Sequence, residues 1–191
     1  MKRIGLGSLA LAPLLKLIDG LAKPAWGQAP PRARAFQFVA FSRAGTVDGV
    51  VHTVGSNGEG KFDPESGWIE GGGGFLHFDD ASVMPKRIIN SGRWKARKIL
   101  KYEKQVGTYG RIAASILEME VDLLPDLGPV RRIEGANLRI ICNIGAAGLM
   151  TGEPEGYVLT VPGAPFGPFR PLSPVLGLTH ISVPGASGER A

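Results

Sequence analysis

The sequence predicts an all-β fold: a single-domain antiparallel β-sandwich or β-barrel of about eight strands, with a Pro-rich strap near its C-terminus. Three observations carry that expectation. First, 28 glycines and 15 prolines fill nearly a quarter of the 191 positions, and both residues weaken helix interiors. Second, residues 93–124 read as two long strands with opposite charges on one face and apolar residues on the other. Third, turn residues punctuate short runs of β-branched and aromatic residues along the rest of the chain. Apolar residues make up 43% of the chain and charged residues 20%, enough to bury a core. No collagen period and no apolar run of 18 residues is present, which excludes a triple helix and a membrane-spanning helix.

Met1-Lys2-Arg3, the apolar stretch Ile4 to Leu15 and the small residues around Ala25 to Ala29 have the three parts of a secretory signal. Residues 1–29 are therefore expected to be a signal peptide or N-terminal leader, and the protein secreted or part of the cell envelope. The chain carries 22 basic and 17 acidic residues, a net +5. Four basic residues and one acidic residue lie in the leader, so the remainder is close to +2. That balance speaks against a nucleic-acid partner. Residues 30–34 read as a linker, 35–185 as the β domain and 186–191 as a flexible tail.

Within the β domain, Ala35 to Phe41 alternates as a first strand, and Val47 to Val54 as a second, with Ser56-Asn57-Gly58 as its turn. Gly71 to Gly74, flanked by Trp68-Ile69 and Phe75 to Phe78, predicts a bulge, a loose loop or a point of close backbone approach. No Lys-Ser/Thr follows it, so it is not a phosphate loop. A two-residue Gly107-Thr108 turn would pair Arg93 with Asp122, Lys95 with Glu120 and Arg97 with Glu118. The other face would then pair Trp94 with Val121 and Ala96 with Met119, with a bulge near Lys98 and Ile99. Residues 138–142, 157–161 and 178–183 complete the strands. Between them, prolines at 162, 165, 168, 171 and 174 recur every three residues, as do Phe166, Phe169, Leu172 and Val175. That is the period of a polyproline II helix with one apolar edge. The edge is expected to pack on the protein's own sheet, or to form a protein contact or self-association through Phe166, Phe169 and Leu172.

Candidate chemistry is sparse. Cys142 is the only cysteine, which excludes an intrachain disulfide and a Cys-based zinc site. It sits in an apolar strand and reads as a buried structural thiol. No Gly-x-Ser-x-Gly elbow is present, and no cofactor or metal is expected. His77, Asp79 and Asp80 lie close in sequence and are the candidates for an acid/base or divalent-ion site. The competing reading is a strand histidine followed by an Asp-Asp turn. Eight basic side chains lie within residues 86–104, with Trp94 and Tyr102 among them. The acids on the next strand account for several, leaving Lys98, Lys101 and Lys104 as candidates for a polyanion. The leading expectation is an exported non-enzymatic structural or binding module. The first alternative is a barrel that binds or transforms a small molecule near His77 and Asp79, helped by Trp68 and Trp94. The second is polyanion binding through the three lysines.

Overall fold

A computed structural model describes residues 29–47, 49–79 and 87–184. The expected leader up to residue 28, Asp80, Lys86, the side chain of Lys104 and the expected tail lie outside the described residues.

The described chain is nearly all strand, with one short 3-10 turn at Gly145–Ala147. The strands are β1 (Arg34–Arg43), β2 (His52–Asp63), β3 (Trp68–Asp79), β4 (Arg87–Tyr109), β5 (Ile112–Pro125), β6 (Ile133–Cys142), β7 (Gly156–Thr160), β8 (Arg170–Pro171) and β9 (Gly177–Ile181). They form one antiparallel sheet in the order β7-β6-β5-β4-β3-β2-β1-β8, with β9 also paired to β1. The ends of this path meet. Leu159 of β7 bridges Phe169 just before β8, and Ile112 of β5 bridges Ser182 just after β9. The sheet is thus rolled into a nearly closed barrel, which leaves few open edges.

Alternation fills the interior. Phe36, Phe38 and Ala40 of β1 are buried while Gln37, Val39 and Phe41 face out. Phe38 packs 5.9 Å from the Trp94 ring and 5.5 Å from the Tyr157 ring. The Tyr157 hydroxyl donates to the Val54 carbonyl at 2.6 Å, which satisfies its one polar atom in the core.

The β2–β3 hairpin turns on Asp63-Pro64-Glu65-Ser66-Gly67. Asp63 accepts from the Glu65 backbone N–H at 3.0 Å and from the Ser66 hydroxyl at 2.7 Å. Gly67 adopts φ +73°, a conformation that suits glycine. Ser56-Asn57-Gly58, expected as a turn, instead lies in the middle of β2. The local turn chemistry of Asn-Gly loses to the stronger Asp-Pro signal downstream.

Gly71 to Gly74 lies inside β3, and the third of the expected options, close approach, is the one observed. A Cβ on Gly73 would sit 1.9 Å from the Asn57 carbonyl oxygen and 2.7 Å from the Trp94 indole nitrogen. One on Gly58 would sit 2.0 Å from the Trp94 ring, and one on Gly71 2.6 Å from Phe36. Gly58 pairs directly with Gly73 across the ladder. The glycines make the space that the Trp94 and Phe36 rings occupy.

The β4–β5 hairpin corrects the expected register. The turn is Gly110-Arg111, with Gly110 at φ +58°, and not Gly107-Thr108. Three irregularities on β4 shift the pairing, between Ala96 and Lys98, Ile99 and Lys101, and Glu103 and Gly107. Arg93 therefore faces Leu124, Lys95 faces Asp122 and Lys98 faces Glu120. Trp94 meets Leu123 and Ala96 meets Val121. The face assignment survives because the error is two residues at Trp94, and an even slip keeps each side chain on its own face. The expected irregularity near Lys98 and Ile99 is present. Outside the barrel, Asp122 holds Arg132 at 2.6 Å and Arg97 at 3.3 Å. Arg139 holds Glu153 at 2.6 Å.

Candidate functional site

The β2–β3 register brings two histidines together. Asp79 lies opposite His52, and His77 opposite Val54. His52 and His77 therefore share one face as diagonal neighbours, and His52 Nδ1 lies 3.0 Å from His77 Nε2. One ring nitrogen donates its N–H and the other accepts, with the tautomer setting which does which. Phe166 from the strap stacks on His52 at 4.8 Å and meets His77 at 5.4 Å. Phe169 meets His77 edge-on at 5.6 Å.

Burial lowers the His77 pKa to about 4, and the neighbouring His52 pushes in the same direction against the weaker pull of Asp79. The ring is neutral at physiological pH. Asp79 is buried and forms an ion pair with Arg87 at 2.5 Å. It does not line the space beside His77.

That space is a cavity of about 360 Å³ at one end of the barrel. Its walls include Val54, Phe75 and Leu159 from the strands and Ala164, Phe166 and Phe169 from the strap. Among the described residues, His77 and Asn90 are the polar side chains in the wall, and no charged side chain lines it. Asn90 accepts the Ser91 backbone N–H at 2.8 Å through its oxygen. The arrangement suits a small apolar molecule with one hydrogen-bonding group.

The other candidates lie elsewhere. Trp68 starts β3, opposite Asp63, nine residues and about 30 Å along the strand from His77. Trp94 is buried in the core, its indole N–H donating to the Asn57 carbonyl at 2.9 Å. Lys98 pairs with Glu120 at 3.0 Å and Lys101 with Glu103 at 2.5 Å. Cys142 is buried, and its Sγ lies 3.6 Å from the Thr179 carbonyl. Burial pushes the thiol pKa up, so it is a poor nucleophile. Among the described residues no three metal-ligating side chains gather, and no helix is long and apolar enough to cross a membrane.

In the strap, Phe169 is buried and Phe166 half-buried against the barrel, while Val175 is exposed. The ladder contacts of Phe169 and of Arg170–Pro171 interrupt the period-three run. His52 is not among the site residues expected from the sequence. The missed signal is the Asp63-to-Gly67 turn, which fixes the register that carries His52 to His77.

No family model, no curated protein and no solved structure matches this chain.

Proposed function

We propose that this protein is an exported, non-enzymatic binding module that holds a small, neutral, largely apolar molecule in the cavity at the end of its barrel. The cavity between the strand wall and the Phe166–Phe169 segment carries this reading, because it is apolar and has two polar contacts. A neutral His77 donates or accepts one hydrogen bond without placing a charge against the ligand. The described wall carries no charge, which disfavours ions, whose desolvation would go uncompensated. The aromatic core supports a binder over an enzyme, since among the described residues no nucleophile or paired acid and base lines the space. Export rests on the Met1-Lys2-Arg3 start and the apolar stretch that follows it.

N-phenyl-1-naphthylamine, a neutral apolar dye that brightens out of water, tests the site. Saturable enhancement at one dye per chain is expected. Ala164→Trp, which fills the cavity from the strap, should abolish it while leaving the far-UV circular dichroism intact. Equal enhancement by wild type and Ala164→Trp would overturn the assignment.

A further inference from the structure

Two outward positions of β1, Val39 and Phe41, are apolar, and they are 56% and 38% exposed. On β9, Leu178 stands directly opposite Val39 and is 66% exposed. Leu176, 54% exposed, lies beside Phe41, whose backbone N–H donates to the Leu176 carbonyl at 2.9 Å. On the other side of β1, the matching β2 positions are Gly55 and Asn57. The Phe41 ring leans over Gly55, where a Cβ would sit 2.7 Å from it. The four apolar side chains thus form one uncharged ridge beside a low strip of β2. Strand spacing and rise make this face roughly 20 Å by 15 Å, the size of a functional patch on a single chain. Opposite charges stand at its two ends. Exposed Arg170 of β8 is level with Arg43, three residues from Ala40 on β1. Exposed Glu59 of β2 is level with Gln37, three residues from Ala40 in the other direction.

We infer that the β1–β9 face is the interface of a two-fold symmetric dimer of this chain. Such an interface is self-complementary: where one residue meets a second, the second meets the first across the axis. An axis through the face at Ala40 sets Phe41 of one copy on Val39 of the other. It carries Leu178 onto the low strip at Gly55 and Leu176 onto Asn57, so each ridge lies along the strip of the other copy. It also sets Arg170 of each copy against Glu59 of the other. These pairs make a polar rim around an apolar centre, the usual anatomy of a protein interface. The charges favour a second copy over a lipid surface or an unrelated apolar partner, neither of which supplies the matching pair. The small area places the dimer at the weak end of specific interfaces, with dissociation in the micromolar range. The face shares no residue with the wall of the apolar cavity, so the dimer does not depend on the ligand proposed there.

Sedimentation velocity of the full chain, from about 1 μM to about 100 μM, reads the association. A shift from monomer to dimer mass is expected across that range. Leu178→Lys, at the most exposed position of the ridge, should weaken association by about tenfold or more. Glu59→Arg should weaken it as well, since it sets like charges together, and adding Arg170→Glu should restore the dimer. Leu127→Lys, at an exposed leucine between β5 and β6, should leave it unchanged. Leu178→Lys should bind the naphthylamine dye at the same ratio as wild type, which keeps this outcome distinct from that of the cavity. A monomer at every concentration would overturn the inference, as would a dimer that persists in Leu178→Lys or in Glu59→Arg. Failure of the double charge reversal to restore the dimer, or its loss in Leu127→Lys, would overturn it too.

Discussion

An imidazole kept neutral down to a pH of about 4 ties the stability of this fold to acidity. In the unfolded chain a histidine takes up its proton near pH 6.5. Between those values the unfolded state binds a proton that folded His77 refuses, so stability falls as pH drops from about 6.5 to about 4. The contribution is present in full above the upper value. After discounting for the ring's partial exposure it amounts to about 1–2 kcal/mol. Urea melts across that range should show a steeper decline for wild type than for His77→Gln, and parallel declines would refute the assignment. The glycines of β3 act at the same scale. Gly73→Ala forces a methyl against the Asn57 carbonyl and the Trp94 indole. It should cost about 1–3 kcal/mol or more, read as a lowered denaturation midpoint with an unchanged slope. Sequence composition raised this close approach as one option among three. It could not choose among them, because the choice depends on the β3–β4 register that sets Trp94 directly opposite Gly73.

Elements settle what single residues leave open. On β4, lysines at 95, 98 and 101 recur every three residues, while their partners at 122, 120 and 118 recur every two. That mismatch is the signature of one extra residue on β4 between each successive pair. The spacing is readable in the sequence, yet a tight Gly107-Thr108 turn accounts for three charge pairs with one bulge, near Lys98 and Ile99, where the structure has three irregularities. The strands, their faces and the charge pairing were legible because period-two alternation survives an even slip. The turn was not, since Gly110-Arg111 and Gly107-Thr108 are both acceptable hairpin loops. Cross-strand nuclear Overhauser contacts should link Lys95 to Asp122 and Lys98 to Glu120. Contacts from Lys95 to Glu120 would restore the unbulged register. The exposed Lys98–Glu120 pair should add less than about 1 kcal/mol in a double-mutant cycle. A larger coupling would mean that the outer ladder holds the sheet together more than its solvent exposure suggests.

At the scale of the whole molecule, closure of the sheet creates the candidate sites. The rolled sheet sets β2 and β3 beneath the segment between β7 and β8, so Phe166 and Phe169 roof the histidine pair. The apolar edge of the strap was legible as a period of three. Its destination was not, since no local pattern states where a strap of this length comes to rest. Trp68 shows the converse limit: an aromatic expected beside His77 lies at the far end of the same strand. The barrel also leaves Val39, Phe41, Leu176 and Leu178 exposed on the β1–β9 face, an alternative surface for an apolar probe. Intermolecular nuclear Overhauser contacts from bound N-phenyl-1-naphthylamine separate the two locations. Cross-peaks to the rings of Phe166 and Phe169 and the methyls of Leu159 are predicted. Cross-peaks to Val39 and Leu178 instead would contradict a ligand site in the barrel.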